Sequence, residues 1–176
     1  MDGIDLNAID KKSLYELMSV VSQDVFMFDD TIKNNISLYK SYTDEEINRV
    51  IDMSGLREFV DSQGINYKCG ENGTSLSGGQ SQRVSIARAL IKNTPILVMD
   101  EAMGALDHET ASKVELGLQS IKDLTRIVVT HNINKEVLQG YDKILMMKKG
   151  TIVEEGTYEE LMKTKGVFYS LVTLEG

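Results

Sequence analysis

The sequence predicts an α/β fold in which a mainly parallel sheet carries a helical subdomain inserted between two of its strands. Three observations lead there. Strand-length apolar runs alternate with helix-length segments through the second half of the chain. The stretch between about 29 and 93 breaks that rhythm with helical patterns. The 176 residues are 41% hydrophobic and 26% charged, a globular balance in a chain long enough for a real core. The chain divides on this reading into a first core segment (1–28), a helical subdomain (29–93) and the C-terminal part of the α/β core (94–176).

The elements follow in order. Residues 13–17 read as a helical turn, and 18–22 (Met-Ser-Val-Val-Ser) as a short strand. Residues 24–37 are mixed, with a helical turn near Phe26 and Phe28. Thr43-Asp-Glu-Glu46 is a capping box that opens a helix running to about Met53. Residues 56–60 read as another short helix, and 64–77, with Gly64, Gly70 and Gly73, as a loop. From 78 to 92 the pattern is helical, with Val84, Ala87, Leu90 and Ile91 on one face. Pro95 starts a buried strand over 96–99, where a missing N–H costs little. A helix over about 107–122, a β-branched strand over 126–130 and a short helix over 134–139 come next. Strands at 143–147 and 151–155 flank Lys148-Lys149-Gly150 as a hairpin. Thr157-Tyr-Glu-Glu160 is a second capping box, and it opens a C-terminal helical segment.

Composition excludes several functions. The formal net charge of −8 argues against a nucleic-acid binder, which needs a basic face. The single cysteine, Cys69, cannot form an internal disulfide; a small, partly buried residue in a reducing cytosol fits it. His108 and His131 are the only histidines, and no Cys or His pair has zinc-ligand spacing. No run is long and apolar enough to cross a bilayer, and no signal peptide opens the chain.

Four segments carry chemistry. Leu76-Ser77-Gly78-Gly79-Gln80 sets two glycines where a loop enters a helix. Glycine allows a phosphate to approach the backbone, a helix N-terminus offers unpaired N–H groups, and Ser77 adds a hydroxyl donor. The bland alternative is a glycine-rich helix cap with no ligand. Ile96-Leu97-Val98-Met99 ends abruptly in Asp100 and Glu101, and ligands collect at the carboxyl ends of parallel strands. An aspartate there suits hydrated magnesium, and a glutamate beside it suits the activation of water. Two acids in an ordinary loop are the alternative. His131 ends Val128-Val129-Thr130-His131, and Gln23 follows the first strand; each taken singly reads as structural.

In order and spacing, these segments resemble the ATP-binding domain of ABC transporters across essentially the whole chain. Gln23 matches the Q-loop glutamine, and residues 76–80 match the signature motif. Asp100 matches the Walker B aspartate, Glu101 the catalytic glutamate, Ala105-Leu106-Asp107 the D-loop and His131 the switch histidine. Gln23-Asp24 with Phe26, Phe28, Thr31-Ile32 and Asn35-Ile36 resembles the exporter-type branch, as does Gly70-Glu71-Asn72-Gly73. In that branch both regions face the coupling helices of the membrane domains.

The resemblance implies a P-loop NTPase-like core that works with ATP and Mg2+ on the cytoplasmic face of a membrane. Its partners are a second such domain, paired head to tail, and the transmembrane domains of the transporter; nucleic acid is not among them. Glu101, His131 and Gln23 are implied as catalytic. Asp100 and Gln23 attend the metal, and Ser77, Gly78, Gly79, Gln80 and Asp107 contact nucleotide. Two departures stand out. Met103-Gly104 replace the Thr-Ser that often precedes the D-loop Ala-Leu-Asp. No Gly-x-x-x-x-Gly-Lys-[Ser/Thr] occurs in the 176 residues, whereas the family has it upstream of the segment resembling Asp2-Gly3-Ile4-Asp5. The expectation is a domain that starts late, with the N-terminal strands and P-loop missing, no ATPase by itself, and open sheet edges covered by self-association. A non-transport ABC ATPase and a non-catalytic interaction fragment are the competing readings.

Overall fold

The structure is a computed structural model that describes residues 3–175. Met1 and Asp2 lie outside the described residues. The chain forms two compact units, Met1–Thr130 and His131–Gly176.

The first unit is built on a three-stranded sheet of β1 (Met18–Val21), β2 (Ile96–Asp100) and β3 (Thr125–Val129), in that spatial order and all parallel. Met18 pairs with Ile96, and Asp100 pairs with Val129, so the three carboxyl ends lie along one margin. Strand β3 covers 125–129, one residue earlier than the sequence suggests. Helix α1 (Lys11–Leu17) precedes β1, with Asp10 as its N-cap. Between β1 and β2 run α2 (Ile32–Ser37), α3 (Asp44–Met53), α4 (Arg57–Gln63) and α5 (Gly78–Ile91), the helical insertion expected from the broken rhythm. Helix α6 (His108–Gln119) links β2 to β3 and ends three residues short of its predicted limit.

Helix α3 starts where its capping box says. The Thr43 hydroxyl accepts from the Glu46 N–H, and the Glu46 carboxylate accepts from the Thr43 N–H. Its buried residues, Ile47, Val50 and Ile51, repeat at helical spacing and meet α5. Helix α5 contributes Val84, Ile86, Ala87, Leu90 and Ile91 to a core shared with Val21, Ile36, Leu56, Leu97 and Met99. Cys69 belongs to that core and is fully buried rather than partly so, next to the β-bridge between Thr31 and Lys68. Asn35 donates to its Sγ.

One face of the sheet is packed and the other is open. Val21, Leu97 and Met99 are buried, whereas Val20, Ile127 and Val129 are each more than half exposed. Among the described residues of this unit, β1 and β3 are the sheet edges.

The second unit holds α7 (Lys135–Gln139), an antiparallel hairpin of β4 (Ile144–Lys148) and β5 (Thr151–Gly156), then α8 (Tyr158–Thr164) and α9 (Val167–Glu175). Its small core is Leu138, Tyr158, Leu161 and Phe168. Thr157 and Glu160 complete the second predicted capping box. The carboxylate of Glu154 caps α9 by accepting from the N–H groups of Val167 and Phe168.

Candidate functional site

Parallel pairing of β1 with β2 brings two distant residues together. Gln23 lies two positions beyond β1, and Glu101 lies one beyond β2. Gln23 Nε2 donates to Glu101 Oε2 at 3.0 Å across 78 residues of sequence. That bond sets the carboxamide orientation and leaves Gln23 Oε1 as an acceptor.

Glu101 has left-handed backbone, with φ of 48°. Such a conformation costs a non-glycine residue about 1–3 kcal/mol and concentrates at functional sites. The strain is held in place from two sides. The Glu101 N–H donates to Val129 O at 2.9 Å, continuing the ladder to β3, and its carbonyl accepts from the Gly104 N–H at 3.1 Å. The side chain is half-buried. Asp100, the last residue of β2, is exposed, and its carboxylate makes no hydrogen bond or ion pair among the described residues.

Among the described residues, no group of three His, Cys, Asp or Glu side chains is arranged to cage a metal ion. The sheet margin carries two oxygen donors without a partner among the described residues, the Asp100 carboxylate and Gln23 Oε1, which is a sparse donor chemistry. It fits magnesium, which keeps most of its waters and takes few protein ligands. It does not fit zinc or calcium.

The turn at 77–80 is the mouth of α5. Ser77 Oγ accepts from the Gln80 N–H at 3.2 Å, and Gln80 Oε1 accepts from the Ser77 N–H at 2.8 Å. This is a third capping box, and it occupies the Gln80 side chain. The N–H groups of Gly78 and Gly79 have no partner among the described residues, and the Ser77 hydroxyl proton remains free to donate. Two unpaired N–H groups at the positive end of a 14-residue helix suit an anion.

The turn at 103–106 seats against those glycines. A Cβ on Gly79 would stand 2.9 Å from Ala105 O, and one on Gly78 would stand 3.7 Å from Ala105 Cβ. Asp107 is the N-cap of α6: its Oδ1 accepts from the Thr110 N–H at 2.9 Å, which holds the carboxyl below the usual range.

The sequence-predicted residues therefore fall into groups. Gln23, Asp100 and Glu101 share the sheet margin. Ser77, Gly78, Gly79 and Gln80 form the helix mouth, joined to the stretch after Glu101 through Ala105. His131 is exposed and opens the second unit, two residues beyond β3.

Sequence reasoning missed several supporting residues. Gln82 is buried and donates to Ser22 O, next to Gln23. Arg88 donates to Phe26 O at 2.9 Å, to Asn35 O at 2.7 Å and to Asn35 Oδ1 at 2.9 Å. Burial lowers the pKa of its guanidinium. Arg88 also lies 5.9 Å from the centroid of the Phe28 ring. It thereby holds an aromatic surface in which Phe26 meets Phe28 edge-on at 5.1 Å and Phe28 meets Tyr39 at 6.2 Å. Phe26, Phe28 and Tyr39 are all exposed. A polar residue on the inward helical stripe, such as Gln82 beside Ile86, was the available signal.

A family model described as "ABC transporter" matches residues 1–104. The chain belongs to the ABC transporter family. It is similar to an ATP-dependent lipid A-core flippase of Francisella tularensis subsp. holarctica (strain OSU18). The two are 42% identical over 176 residues, covering 97% of this chain and 29% of the flippase. It is also similar to the Beta-(1-->2)glucan export ATP-binding/permease protein NdvA of Bartonella bacilliformis, at 37% identity over 180 residues, 100% of this chain and 30% of that protein. A solved structure titled "Structure of a bacterial Atm1-family ABC exporter with ATP bound" superposes with a TM-score of 0.90 and 30% identity. The match covers 99% of this chain and 31% of that one. The chain thus spans less than a third of the length of these relatives.

Proposed function

We propose that these residues are part of the ATP-hydrolysing domain of an exporter, in which ATP binding and hydrolysis drive export across a membrane. The observation that carries the reading is the bond from Gln23 Nε2 to Glu101 Oε2 at the carboxyl margin of a parallel sheet. Residues 1–28 supply the Q-loop, 29–93 the helical subdomain with the signature helix, and 94–176 the rest of the ATPase core.

Glu101 orients or deprotonates the attacking water, and Gln23 holds its carboxylate between turnovers. Asp100 and Gln23 Oε1 are the residues that would hold hydrated Mg2+, which would supply charge neutralisation at the phosphates. His131 contacts the γ-phosphate. The N–H groups of Gly78 and Gly79, with the Ser77 hydroxyl, bind the γ-phosphate of an ATP held mainly by a second, head-to-tail copy; Gln80 acts through the cap it forms with Ser77. Asp107 lies in the same interface. That arrangement is an isologous two-fold dimer, and γ-phosphate recognition makes its closure depend on ATP. On this reading the aromatic surface of Phe26, Phe28 and Tyr39 faces the transmembrane domains, and the domain works on the cytoplasmic side of the membrane.

The relatives' names point to different cargoes, a lipid A-core and a β-(1→2)glucan. What passes to this chain is ATP-driven export and no particular cargo. These 176 residues contain no Gly-x-x-x-x-Gly-Lys-[Ser/Thr]. Phosphate positioning is most of phosphoryl-transfer catalysis, so the residues by themselves turn over no ATP.

The test is Glu101→Gln in the full-length protein. Removing a general base costs about 10²–10⁴-fold in rate. Turnover should fall by that factor while ATP binding, read by calorimetry, stays. Wild-type turnover in the variant, or turnover at enzyme rates by the 176 residues in isolation, would refute the assignment.

A further inference from the structure

The glycine pair of the signature turn invites one explanation for both residues: phosphate comes close to the backbone. Geometry separates them. A Cβ on Gly78 would meet one atom, Ala105 Cβ, at 3.7 Å, an ordinary contact. A Cβ on Gly79 would meet Ala105 O at 2.9 Å and Leu106 Cδ2 at 3.3 Å. The first contact is with backbone, so a rotamer change cannot relieve it. Gly79 has ordinary negative φ, so conformational freedom is not what selects glycine there.

The backbone that meets Gly79 is tied to Glu101. Gly104 N–H donates to Glu101 O at 3.1 Å, and Leu106 N–H donates to Met103 O at 3.0 Å. Ala102 and Met103 are buried, which anchors the turn from below. Arg83 secures the helix mouth from the other side, its Nε donating to Gly79 O at 3.2 Å and its Nη1 to Gly55 O at 2.8 Å.

We propose that Gly79 is a positioning residue for Glu101 of its own chain: its missing side chain lets the turn at 103–106 seat on α5, and that seating sets where the Glu101 carboxylate meets Gln23. A displacement of Ala105 passes through the Gly104–Glu101 hydrogen bond to a residue already in left-handed backbone. The consequence for catalysis rests on the function proposed above. There the helix mouth serves one nucleotide and Glu101 the other, so Gly79 couples the two sites through one chain. The steric argument does not need a nucleotide.

The experiment uses the full-length protein without nucleotide and follows the Gln23 side-chain amide by nitrogen–proton NMR. Gly79→Ala should shift that signal and the backbone amides of Glu101, Gly104 and Leu106, with the signals of α3 and α4 unmoved. Gly78→Ala should leave the Gln23 side-chain signal in place. A Gly79→Ala spectrum with the Gln23 amide unmoved, or equal shifts from both variants, overturns the proposal. Should Gly79→Ala fail to fold, Leu106→Ala tests the same contact from the opposite side. It should move the amides of Gly78 and Gly79 together with the Gln23 side chain, and an unmoved Gln23 signal overturns the proposal. With no nucleotide present, a failure here leaves the Glu101→Gln turnover test standing, and the reverse holds too.

Discussion

Glu115 is a carboxyl that folding places where a charge is costly. It sits on α6 between Val114 and Leu118, it is 3% exposed, and neither of its oxygens has a partner among the described residues. Burial pushes its pKa from 4.5 to about 7. Below pH 4.5 both folded and unfolded chains hold the proton. Between 4.5 and 7 only the folded chain holds it, so stability falls as pH rises, by about 1.4 kcal/mol per unit. Above 7 the loss is complete, at about 3 kcal/mol in all, with about 2 kcal/mol of it falling between pH 5.5 and 8. Glu115→Gln removes the titration. An amide leaves an unpaired polar group there at every pH, so the informative quantity is how the difference between variant and wild type changes with pH. Urea unfolding at pH 5.5 and pH 8, followed by amide exchange at Val114 and Leu118, should show the variant gaining about 2 kcal/mol on wild type over that interval. A difference that stays constant within about 0.5 kcal/mol would mean that Glu115 ionises like a solvated carboxyl, and the burial argument would be wrong.

Two further outcomes follow from named bonds. Asn35 is fully buried; its Nδ2 donates to Phe28 O and Thr31 O, and its Oδ1 accepts from Phe28 N–H and Arg88. Asn35→Ala should cost about 2–4 kcal/mol in urea unfolding, because Arg88 and the Phe28 N–H lose partners away from water. Thr43→Ala removes one half of the α3 capping box and should cost about 1 kcal/mol, read from thermal unfolding.

Much of the fold could be read directly because its signals are local. The boxes at Thr43 and Thr157 act over four residues, and both helices begin where the boxes place them. Ser77-Gly78-Gly79-Gln80 has the related Ser-x-x-Gln form, but its glycines point as readily to a ligand, so the sequence alone does not single out the Gln80 cap. The short α2 stayed hidden among the mixed residues 24–37 because a six-residue helix gives too few turns for a period to show. Glu115 was legible in principle: Ala111, Val114 and Leu118 define the inward stripe of α6, and Glu115 falls on it.

The order of motifs along the chain was enough to identify the family, since residue type and spacing are written in one dimension. What required three dimensions is everything set by non-local approach. The pairing of Gln23 with Glu101 exists because two parallel strands end side by side, and the left-handed backbone of Glu101 exists because β3 and Gly104 hold it from both ends. Gly79 reads as a phosphate glycine in sequence, and only the carbonyl of Ala105, 26 residues on, reveals that the fold itself excludes a side chain there. Local rules choose helices and caps; close packing chooses which atoms must be absent.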